Sequence, residues 1–188
     1  MSVLLTFMPK PSFLDPSKVI EVLEISKGDI VIDFGCGSGF WALPLAEKVG
    51  RDGKLYAIDE TDSALEIVKG KADLKHLTNI EYKRAPYGVE ELPIKVKANT
   101  VLISNILSLV PWPVGKALIE STRQNAEIGT KLVVIDWKKG SFFGPKKHAR
   151  MPEEEVMSAA GNAGFKFKML LPTGTYHFGM LFEYTGKG

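Results

Sequence analysis

Three glycines spaced two apart follow an apolar segment that carries one acidic residue. The segment is Ile30–Phe34, which contains Asp33, and the glycines are Gly35, Gly37 and Gly39. Glycine in regular structure costs about 0.5–1 kcal/mol relative to alanine, so three within five positions need a reason. One reason is a turn whose bare backbone lets a ligand lie against it, with the next helix N-terminus directed at an anionic group. The alternative is a tight strand-to-helix connection that binds nothing.

The spacing of the glycines separates two classes of nucleotide ligand. Dinucleotide-binding folds use G-x-G-x-x-G/A, whose third small residue packs the helix against the strand. Phe40 occupies that third position, where its ring would push the helix away from the sheet. The chain instead reads D-F-G-C-G-S-G from Asp33 to Gly39, which resembles motif I of the class I S-adenosylmethionine (SAM)-dependent methyltransferases. The resemblance implies that the glycines accommodate the methionine part of SAM and that Asp33 orients its amino group.

A second acidic position supports a nucleotide ligand. Asp59 follows the apolar segment 54–58, twenty residues after Gly39, and Glu60 lies next to it. At the carboxyl end of a second parallel strand, a carboxylate can accept both hydroxyls of a ribose through charge-assisted hydrogen bonds of about 1.5–3 kcal/mol each. The alternative is a solvated acid at a strand end. Asp59, with Glu60 beside it, is predicted to bind the ribose.

The resemblance to the methyltransferases adds three further candidates for cofactor binding. Cys36 lies inside the glycine turn, where its small size matters more than its thiol. Many relatives carry an acid after the third strand, but this chain has Arg84-Ala85 there, and arginine cannot accept a hydrogen bond from adenine. Adenine is therefore expected to contact backbone groups near Ala85. Asn105, after the fourth strand, completes the predicted set.

Two histidines are candidates for taking a proton from the methyl acceptor, because imidazole titrates near neutral pH. His148 lies in the long loop after the fifth strand, and His177 follows a turn at 172–175. Ligands of open α/β sheets bind at the carboxyl edge of the strands. Asp136, Arg150 and both histidines are therefore expected to converge there. The alternative is a surface histidine and a structural histidine.

The loop that contains His148 is basic, with Lys138, Lys139, Lys146, Lys147 and Arg150. A basic loop attracts an anionic acceptor such as a carboxylate, a phosphate or RNA, although a solvated loop is the simpler interpretation. No metal is predicted, because only Asn105 and Asp136 offer oxygens for magnesium and the histidines and cysteine lack zinc spacing. The D/N-P-P-Y motif of adenine-methylating DNA enzymes is absent, which argues against a flipped base as acceptor.

The elements around these residues predict an α/β fold, a Rossmann-like doubly wound sheet of about seven strands with a C-terminal antiparallel hairpin strand. Strands are expected near 30–34, 54–58, 79–83, 100–103 and 131–136, alternating with helices. Segments 165–171 and 176–184 are joined by too few residues for a parallel crossover, so they are expected to form the hairpin. The class I methyltransferase fold is similar over residues 12–185.

Length and composition are those of one globular domain, residues 1–188. Hydrophobic residues make up 45% of the chain and charged residues 24%, and no apolar run approaches the ~18–20 residues that span a bilayer. The N-terminus lacks the pattern of a signal peptide, and the single cysteine permits no internal disulfide, which fits a reducing cytoplasm. A net charge of +2 is too small to indicate nucleic acid.

The sequence therefore predicts a cytoplasmic SAM-dependent methyltransferase, monomeric or homodimeric, that acts on a small molecule and not at a membrane. Correct positioning of the acceptor can contribute about 7–11 kcal/mol to such a transfer, more than the ~3–5.5 kcal/mol of a general base. Three alternatives stay open. They are an RNA or protein methyltransferase that docks through the basic loop, a SAM-binding protein without catalysis, and a nicotinamide oxidoreductase, which Phe40 disfavours.

Overall fold

Strands and helices alternate along the chain in the computed structural model, which describes residues 11–87, 94–146 and 150–186. The strands are β1 (Ile30–Phe34), β2 (Lys54–Asp59), β3 (Ile80–Arg84), β4 (Thr100–Ser104), β5 (Lys131–Trp137), β6 (Phe165–Leu170) and β7 (His177–Tyr184). The helices are α1 (Pro16–Val22), α2 (Ala42–Val49), α3 (Asp62–Leu74), α4 (Trp112–Ser121) and α5 (Glu153–Asn162), and a 3-10 turn at Thr122–Asn125 follows α4.

The seven described strands form one mixed sheet in the order β3-β2-β1-β4-β5-β7-β6. Neighbours from β3 to β5 are parallel, whereas β7 is antiparallel to both β5 and β6. The predicted doubly wound sheet with its C-terminal antiparallel hairpin is therefore confirmed. The strand order reverses at β1, which pairs with β2 on one side and β4 on the other. Such a switch point opens a crevice at the carboxyl ends of the strands.

The core consists of two apolar layers, one on each face of the sheet. Helices α1, α2 and α3 contribute to one layer, and helices α4 and α5 contribute to the other. Strand β4 is buried along its whole length, as expected of a parallel strand that is covered on both faces. The two layers support the carboxyl edge of the sheet, where Asp59 and the glycine turn lie. None of the helices among the described residues has the length and apolar content needed to cross a membrane.

The segment before α1 is fixed against the turn between β6 and β7. The backbone N–H of Ser12 donates to Oγ1 of Thr175 at 3.0 Å, and the N–H of Thr175 donates back to the carbonyl of Ser12 at 2.9 Å. Gly174 has φ +79°, and a Cβ there would lie 2.6 Å from the Ser12 carbonyl oxygen. Only glycine allows this close approach, and the contact brings Phe13 to the carboxyl edge of the sheet.

Two of the element boundaries that differ from the sequence prediction affect the cleft. The sequence predicts a helix that starts near 40 after the glycine turn, but this helix begins at Ala42, because the turn closes on itself through the N–H of Gly39, which donates to the Cys36 carbonyl at 2.8 Å. Strand β7 begins at His177, one residue later than predicted. The shift places His177 directly opposite Trp137 in the antiparallel register with β5.

Candidate functional site

The glycine turn connects β1 to α2 and closes against the end of β2. The backbone N–H groups of Gly35 and Cys36 both donate to the carbonyl of Ile58, at 2.8 and 3.0 Å. The three glycines all have positive φ, at +68°, +49° and +85° in chain order. Side chains other than glycine rarely adopt this conformation, so the spacing read from the sequence reflects a real backbone requirement.

The three glycines serve different purposes. A Cβ on Gly35 would lie 2.7 Å from Cγ1 of Ile106, and one on Gly39 would lie 3.2 Å from Cγ of Leu43. These two glycines are needed for packing. A Cβ on Gly37 would meet only the Gly35 carbonyl oxygen, at 3.9 Å, so the backbone of Gly37 is bare toward open space. Gly37 is therefore the position at which a ligand can lie against the main chain.

Asp59, at the end of β2, holds this turn by its carboxylate. Oδ2 accepts the N–H of Gly37 at 3.0 Å, while Oδ1 accepts both the N–H and the hydroxyl of Thr61, at 3.0 and 2.9 Å. The hydroxyl of Tyr87 is 3.5 Å from Oδ2. A carboxylate offers about four acceptor positions, so three are filled and the fourth faces only the distant tyrosine hydroxyl. One strong hydrogen bond to a ligand hydroxyl is therefore available at Oδ2.

Asp33 lies behind the turn and is fully buried. Neither carboxylate oxygen has a hydrogen-bond partner among the described residues. Burial, reinforced by the charge of Asp59, raises the pKa of Asp33 to about 8. At neutral pH the folded protein therefore holds a proton on Asp33 that the unfolded chain releases.

We expect this proton to make the free energy of unfolding fall as pH rises toward 8. The pKa of Asp33 is about 8 in the folded protein and 3.8 ordinarily, so its contribution to stability is complete at low pH and is lost up to pH 8. His177 acts oppositely below pH 6.5, because its folded pKa is lowered from 6.5 to about 4. Between pH 6.5 and 8 the opposing contribution of His177 is complete, so the loss from Asp33 is no longer offset by it and has a slope of up to about 1.4 kcal/mol per pH unit.

The measurement is the free energy of unfolding by urea across this pH range for the wild type and Asp33→Asn. The asparagine variant is expected to lose the decline between pH 6.5 and 8, whereas the exposed control Asp52→Asn keeps it. An unchanged decline in Asp33→Asn would show that another group titrates there.

A cleft of about 570 Å³ opens at the carboxyl edge of the sheet beside the turn. It is lined by Phe13, Leu14, Gly35, Cys36, Gly37, Ser38, Phe40, Trp41, Asp59, Tyr87, Ser104, Asn105, Ile106, Leu109, Trp137 and His177. Its volume lies within the ~300–1,000 Å³ of typical ligand sites. Most of its wall is apolar, and the polar groups that line it come from the turn and from the ends of β2, β4 and β7. This combination of an apolar wall and a few convergent polar groups is typical of a binding site.

His177 lines the cleft at the start of β7 and is only 4% exposed. Its ring packs on Trp137, with 4.0 Å between ring centroids, and neither ring nitrogen has a hydrogen-bond partner among the described residues. Burial, together with the charge of Lys138, lowers the pKa of His177 to about 4. The imidazole is therefore neutral at physiological pH and can both accept and donate a hydrogen bond.

The predicted convergence of Asp136, Arg150 and the two histidines is wrong for Arg150, and His148 lies outside the described residues. The guanidinium of Arg150 is buried and donates five hydrogen bonds to backbone carbonyls of Lys138, Ser141, Phe143 and Pro145, at 2.6–3.0 Å. It ties the loop after β5 together and has no donor directed at the cleft. The Asp136 carboxylate is also buried and accepts the N–H groups of Ser108 and Trp137.

The other predicted cofactor residues fall into two groups. Cys36 and Asn105 line the cleft, and Asn105 has φ +56° and a buried Oδ1 that has no partner in the described part of the chain. Glu60 is exposed and Ala85 is buried, and neither lines the cleft. The N–H of Ala85 already donates to the Asp59 carbonyl at 3.0 Å, so its backbone can offer adenine only the carbonyl oxygen. Burial raises the pKa of the Cys36 thiol, so its contribution is its small size.

Sequence reasoning missed five aromatic residues that line the cleft, namely Phe13, Phe40, Trp41, Tyr87 and Trp137. Phe40 and Trp41 had a signal, because a large ring just after a glycine turn must either pack or face the ligand. Trp41 packs, with Nε1 donating to Oγ of Ser104 at 2.8 Å. Among the described residues no group of three or more His, Cys, Asp or Glu side chains is arranged to hold a metal ion.

Comparison with known proteins shows the family of this chain. The sequence profile of a family described as a methyltransferase domain matches residues 25–160, which include the glycine turn, Asp59 and β4. The chain belongs to this methyltransferase family. It is a SAM-dependent methyltransferase, with SAM as its methyl donor.

The relatives of this chain include a solved structure and curated methyltransferases. A solved SAM-dependent methyltransferase from Aquifex aeolicus superimposes with a TM-score of 0.80 and 26% identity, over 90% of this chain and 89% of that one. A protein-L-isoaspartate O-methyltransferase from Methanococcoides burtonii is 22% identical over 77% of this chain and 71% of its own length. A demethylmenaquinone methyltransferase from Bacillus mycoides is 30% identical over 34% of this chain and 27% of its own length.

The cleft of the methyltransferase fits SAM on three structural grounds. The Gly37 backbone is bare and leaves room for a chain to lie against it. The Asp59 carboxylate has one acceptor position that no strong donor fills. The buried Oδ1 of Asn105 lies unpaired in the cleft wall, and an unpaired buried acceptor costs about 1–3 kcal/mol until a donor reaches it.

Proposed function

We propose that this SAM-dependent methyltransferase acts on a small molecule that binds in the same cleft as SAM. The proposal rests on the residues that line the cleft. The cleft holds the glycine turn and Asp59 at one end and a neutral, unpaired His177 at the other. A cleft of about 570 Å³ accommodates a cofactor and a small acceptor together. The name of one relative specifies a modified protein residue, and the name of another specifies a small molecule. The relatives therefore do not decide between a protein and a small molecule as acceptor, and the proposal rests on the cleft.

The following contacts with SAM are part of the proposal. The methionine part lies against Gly37 and Cys36, and its amino group donates to Oδ1 of Asn105. One ribose hydroxyl donates to Oδ2 of Asp59 in place of the Tyr87 hydroxyl. Asp33 does not line the cleft, so the proposal gives it no direct contact with the amino group.

The residues of this chain position the acceptor and receive its proton. SAM supplies a methyl group on a sulfonium, and as the acceptor oxygen bonds to that carbon the C–S electron pair returns to sulfur to give S-adenosylhomocysteine (SAH). His177 accepts a hydrogen bond from the acceptor hydroxyl and takes the proton released. Trp137 fixes the imidazole by stacking on it. Holding the two reactants in this geometry contributes the larger part of the rate.

The single domain of residues 1–188, the cytoplasmic location and the monomeric or homodimeric state stay predictions. RNA as acceptor is not favoured, because Arg150, one of the basic residues of the predicted docking loop, is buried in contacts with that loop. The remaining basic side chains would have to provide the docking surface.

The test is titration calorimetry of the purified protein with SAH and, separately, with NADH. SAH is expected to bind with one site per chain, and NADH is expected to give no heat at millimolar concentration. Gly37→Ala places a methyl group where the methionine part of SAM is proposed to lie and is expected to weaken SAH binding about tenfold, since overpacking of a fitted space costs about 1–3 kcal/mol.

The matched control is Gly70→Ala in α3, where a Cβ meets nothing within 4 Å. This variant is expected to bind SAH as the wild type does. NADH binding in preference to SAH, or folded protein that takes up neither ligand, would refute the proposed function.

A further inference from the structure

The cleft extends well beyond the part that SAM is proposed to fill. Its lining residues come in order from β2, β1, β4, β5 and β7, which are successive neighbours in the sheet. Neighbouring strands lie about 4.8 Å apart, so this edge is about 19 Å wide. Asp59 and the glycine turn occupy the β2–β1 end. The β5–β7 end is left for the acceptor, and we call it the acceptor half: Phe13, Leu14, Leu109, Trp137 and His177.

The acceptor half carries no charge among its described residues. Four of its five side chains are apolar or aromatic, and the fifth, His177, is held neutral by burial, which lowers its pKa to about 4. Arg150 is occupied by five backbone carbonyls, and Lys138 lines a separate cavity on the other side of His177. Among the described residues that line the acceptor half, none offers a counter-ion to an ionised acceptor, which would lose its hydration there at a strongly unfavourable cost.

The aromatic wall of the acceptor half is held in place by tertiary contacts. Phe13 packs on Phe143 and Tyr176, with ring centroids 5.9 and 5.2 Å apart, and these two rings are themselves 5.0 Å apart. The carbonyl of Phe143 accepts a hydrogen bond from Arg150 at 2.8 Å. Phe13 nevertheless remains 65% exposed and Leu109 71% exposed. Phe13, which these rings hold in place, and Leu109 are therefore exposed to solvent at the mouth of the cleft, where an apolar ligand can cover them.

We propose that the methyl acceptor is an uncharged aromatic hydroxyl compound, whose ring lies between Phe13 and Trp137 and whose hydroxyl faces His177. This inference rests on the proposed function and names the class of its acceptor. In the transfer the aromatic oxygen gains the methyl group and loses its proton to His177, while the C–S bond breaks and its electron pair stays on sulfur. The products are an aryl methyl ether and SAH. An uncharged ring packs against the apolar wall. Its single hydroxyl hydrogen-bonds to His177, the polar side chain of the acceptor half that has no partner among the described residues.

The test compares two ligands with the same ring, 2-naphthol and 2-naphthoate, in the presence of saturating SAH. Binding is measured by calorimetry, and transfer is measured with SAM by the formation of 2-methoxynaphthalene. We expect 2-naphthol to bind at least about tenfold more tightly than the carboxylate, because only the carboxylate brings an uncompensated charge. Tighter or equal binding of 2-naphthoate would overturn the proposal, as would failure of both to bind.

Variants of the aromatic wall provide the second part of the test. Phe13→Ala is expected to weaken 2-naphthol binding about tenfold by removing one ring contact, and Leu109→Ser is expected to act in the same direction. The matched control is Phe167→Ala, which removes a partly exposed ring of β6 that does not line the cleft. Equal effects of Phe13→Ala and Phe167→Ala would overturn the proposal.

The SAH titration on the same samples distinguishes a wrong acceptor class from a wrong proposed function. Binding of SAH without discrimination between the naphthyl ligands would refute the acceptor class and leave the proposed function intact. Absence of SAH binding to folded protein would refute both.

Discussion

Replacing Asp59 with alanine is expected to weaken SAH binding by at least about 100-fold. The carboxylate offers its one weakly filled acceptor position at Oδ2, where only the Tyr87 hydroxyl stands at 3.5 Å. A hydrogen bond from a ribose hydroxyl to this charged group contributes about 1.5–3 kcal/mol. The same variant frees the N–H of Gly37, which now donates to Oδ2 at 3.0 Å, and so loosens the backbone on which the methionine part is proposed to lie.

Two controls separate the loss of the ribose contact from damage to the turn. Thr61→Val removes the hydroxyl that donates to Oδ1 of Asp59 and caps α3, so it is expected to cost about 1 kcal/mol of stability but to leave SAH affinity within threefold. Asp62→Ala removes a neighbouring exposed carboxylate, whose partner is Arg84, and is expected to change affinity even less. Both are measured by calorimetry and urea unfolding.

A modified ligand tests directly whether Asp59 binds the ribose. The 2′,3′-dideoxy analogue of SAH is expected to bind the wild type much more weakly than SAH does. The Asp59→Ala variant is expected to bind the two ligands almost equally, since the interaction energy of such a cycle belongs to the pair. If the variant still discriminates between them as the wild type does, the ribose contact lies elsewhere.

The features that were predictable from sequence are those set by local backbone demands. Positive φ at Gly35, Gly37 and Gly39 favours glycine, so the three glycines in the sequence predict the turn. The parallel strands appear as short apolar segments, and strand β4 is buried throughout, which is why its segment is almost wholly apolar. Asp59 was predictable because its place at the end of β2 follows from the same alternation of elements.

The features that could not be predicted depend on contacts between distant parts of the chain. Nothing in the residue types around Trp137 reveals that it faces His177, because that depends on the register between β5 and β7, and a slip of one residue would turn the side chain to the other face. The basic character of Arg150 suggested an anion site. Its five bonds to carbonyls arise only once the loop has folded around it.

The position of Phe13 in the acceptor half could not be predicted from the sequence either. Phe13 precedes the cap of α1, where Asp15 accepts the N–H of Ser17 at 3.0 Å, and the sequence there indicates only the start of a helix. Its position in the cleft is fixed by Gly174, more than 150 residues later, whose missing side chain lets Ser12 approach. The glycine was predictable as part of a turn, but its partner was not.

Replacing His177 with phenylalanine is expected to lower kcat about 100-fold while leaving SAH affinity unchanged. Phenylalanine retains the stacking on Trp137, which has a centroid distance of 4.0 Å in the wild type, and removes both ring nitrogens. A positioned base typically contributes about 10²–10⁴-fold. The lower end applies because a histidine with a pKa of about 4 is a weak base at neutral pH. The assay is methylation of 2-naphthol with saturating SAM, and His76→Asn, a change at an exposed histidine away from the cleft, is the control.

The pH dependence distinguishes His177 as a base from His177 as a packing residue. Because burial lowers its pKa from 6.5 to about 4, kcat/KM of the wild type is expected to stay level from pH 7 down to about pH 5 and to fall only below that. An ordinary exposed histidine would give a fall near pH 6.5. The His177 ring proton followed by NMR in the free protein is expected to titrate with the same low midpoint. A kinetic fall near pH 6.5, or a fall that persists in His177→Phe, would assign the proton to another group.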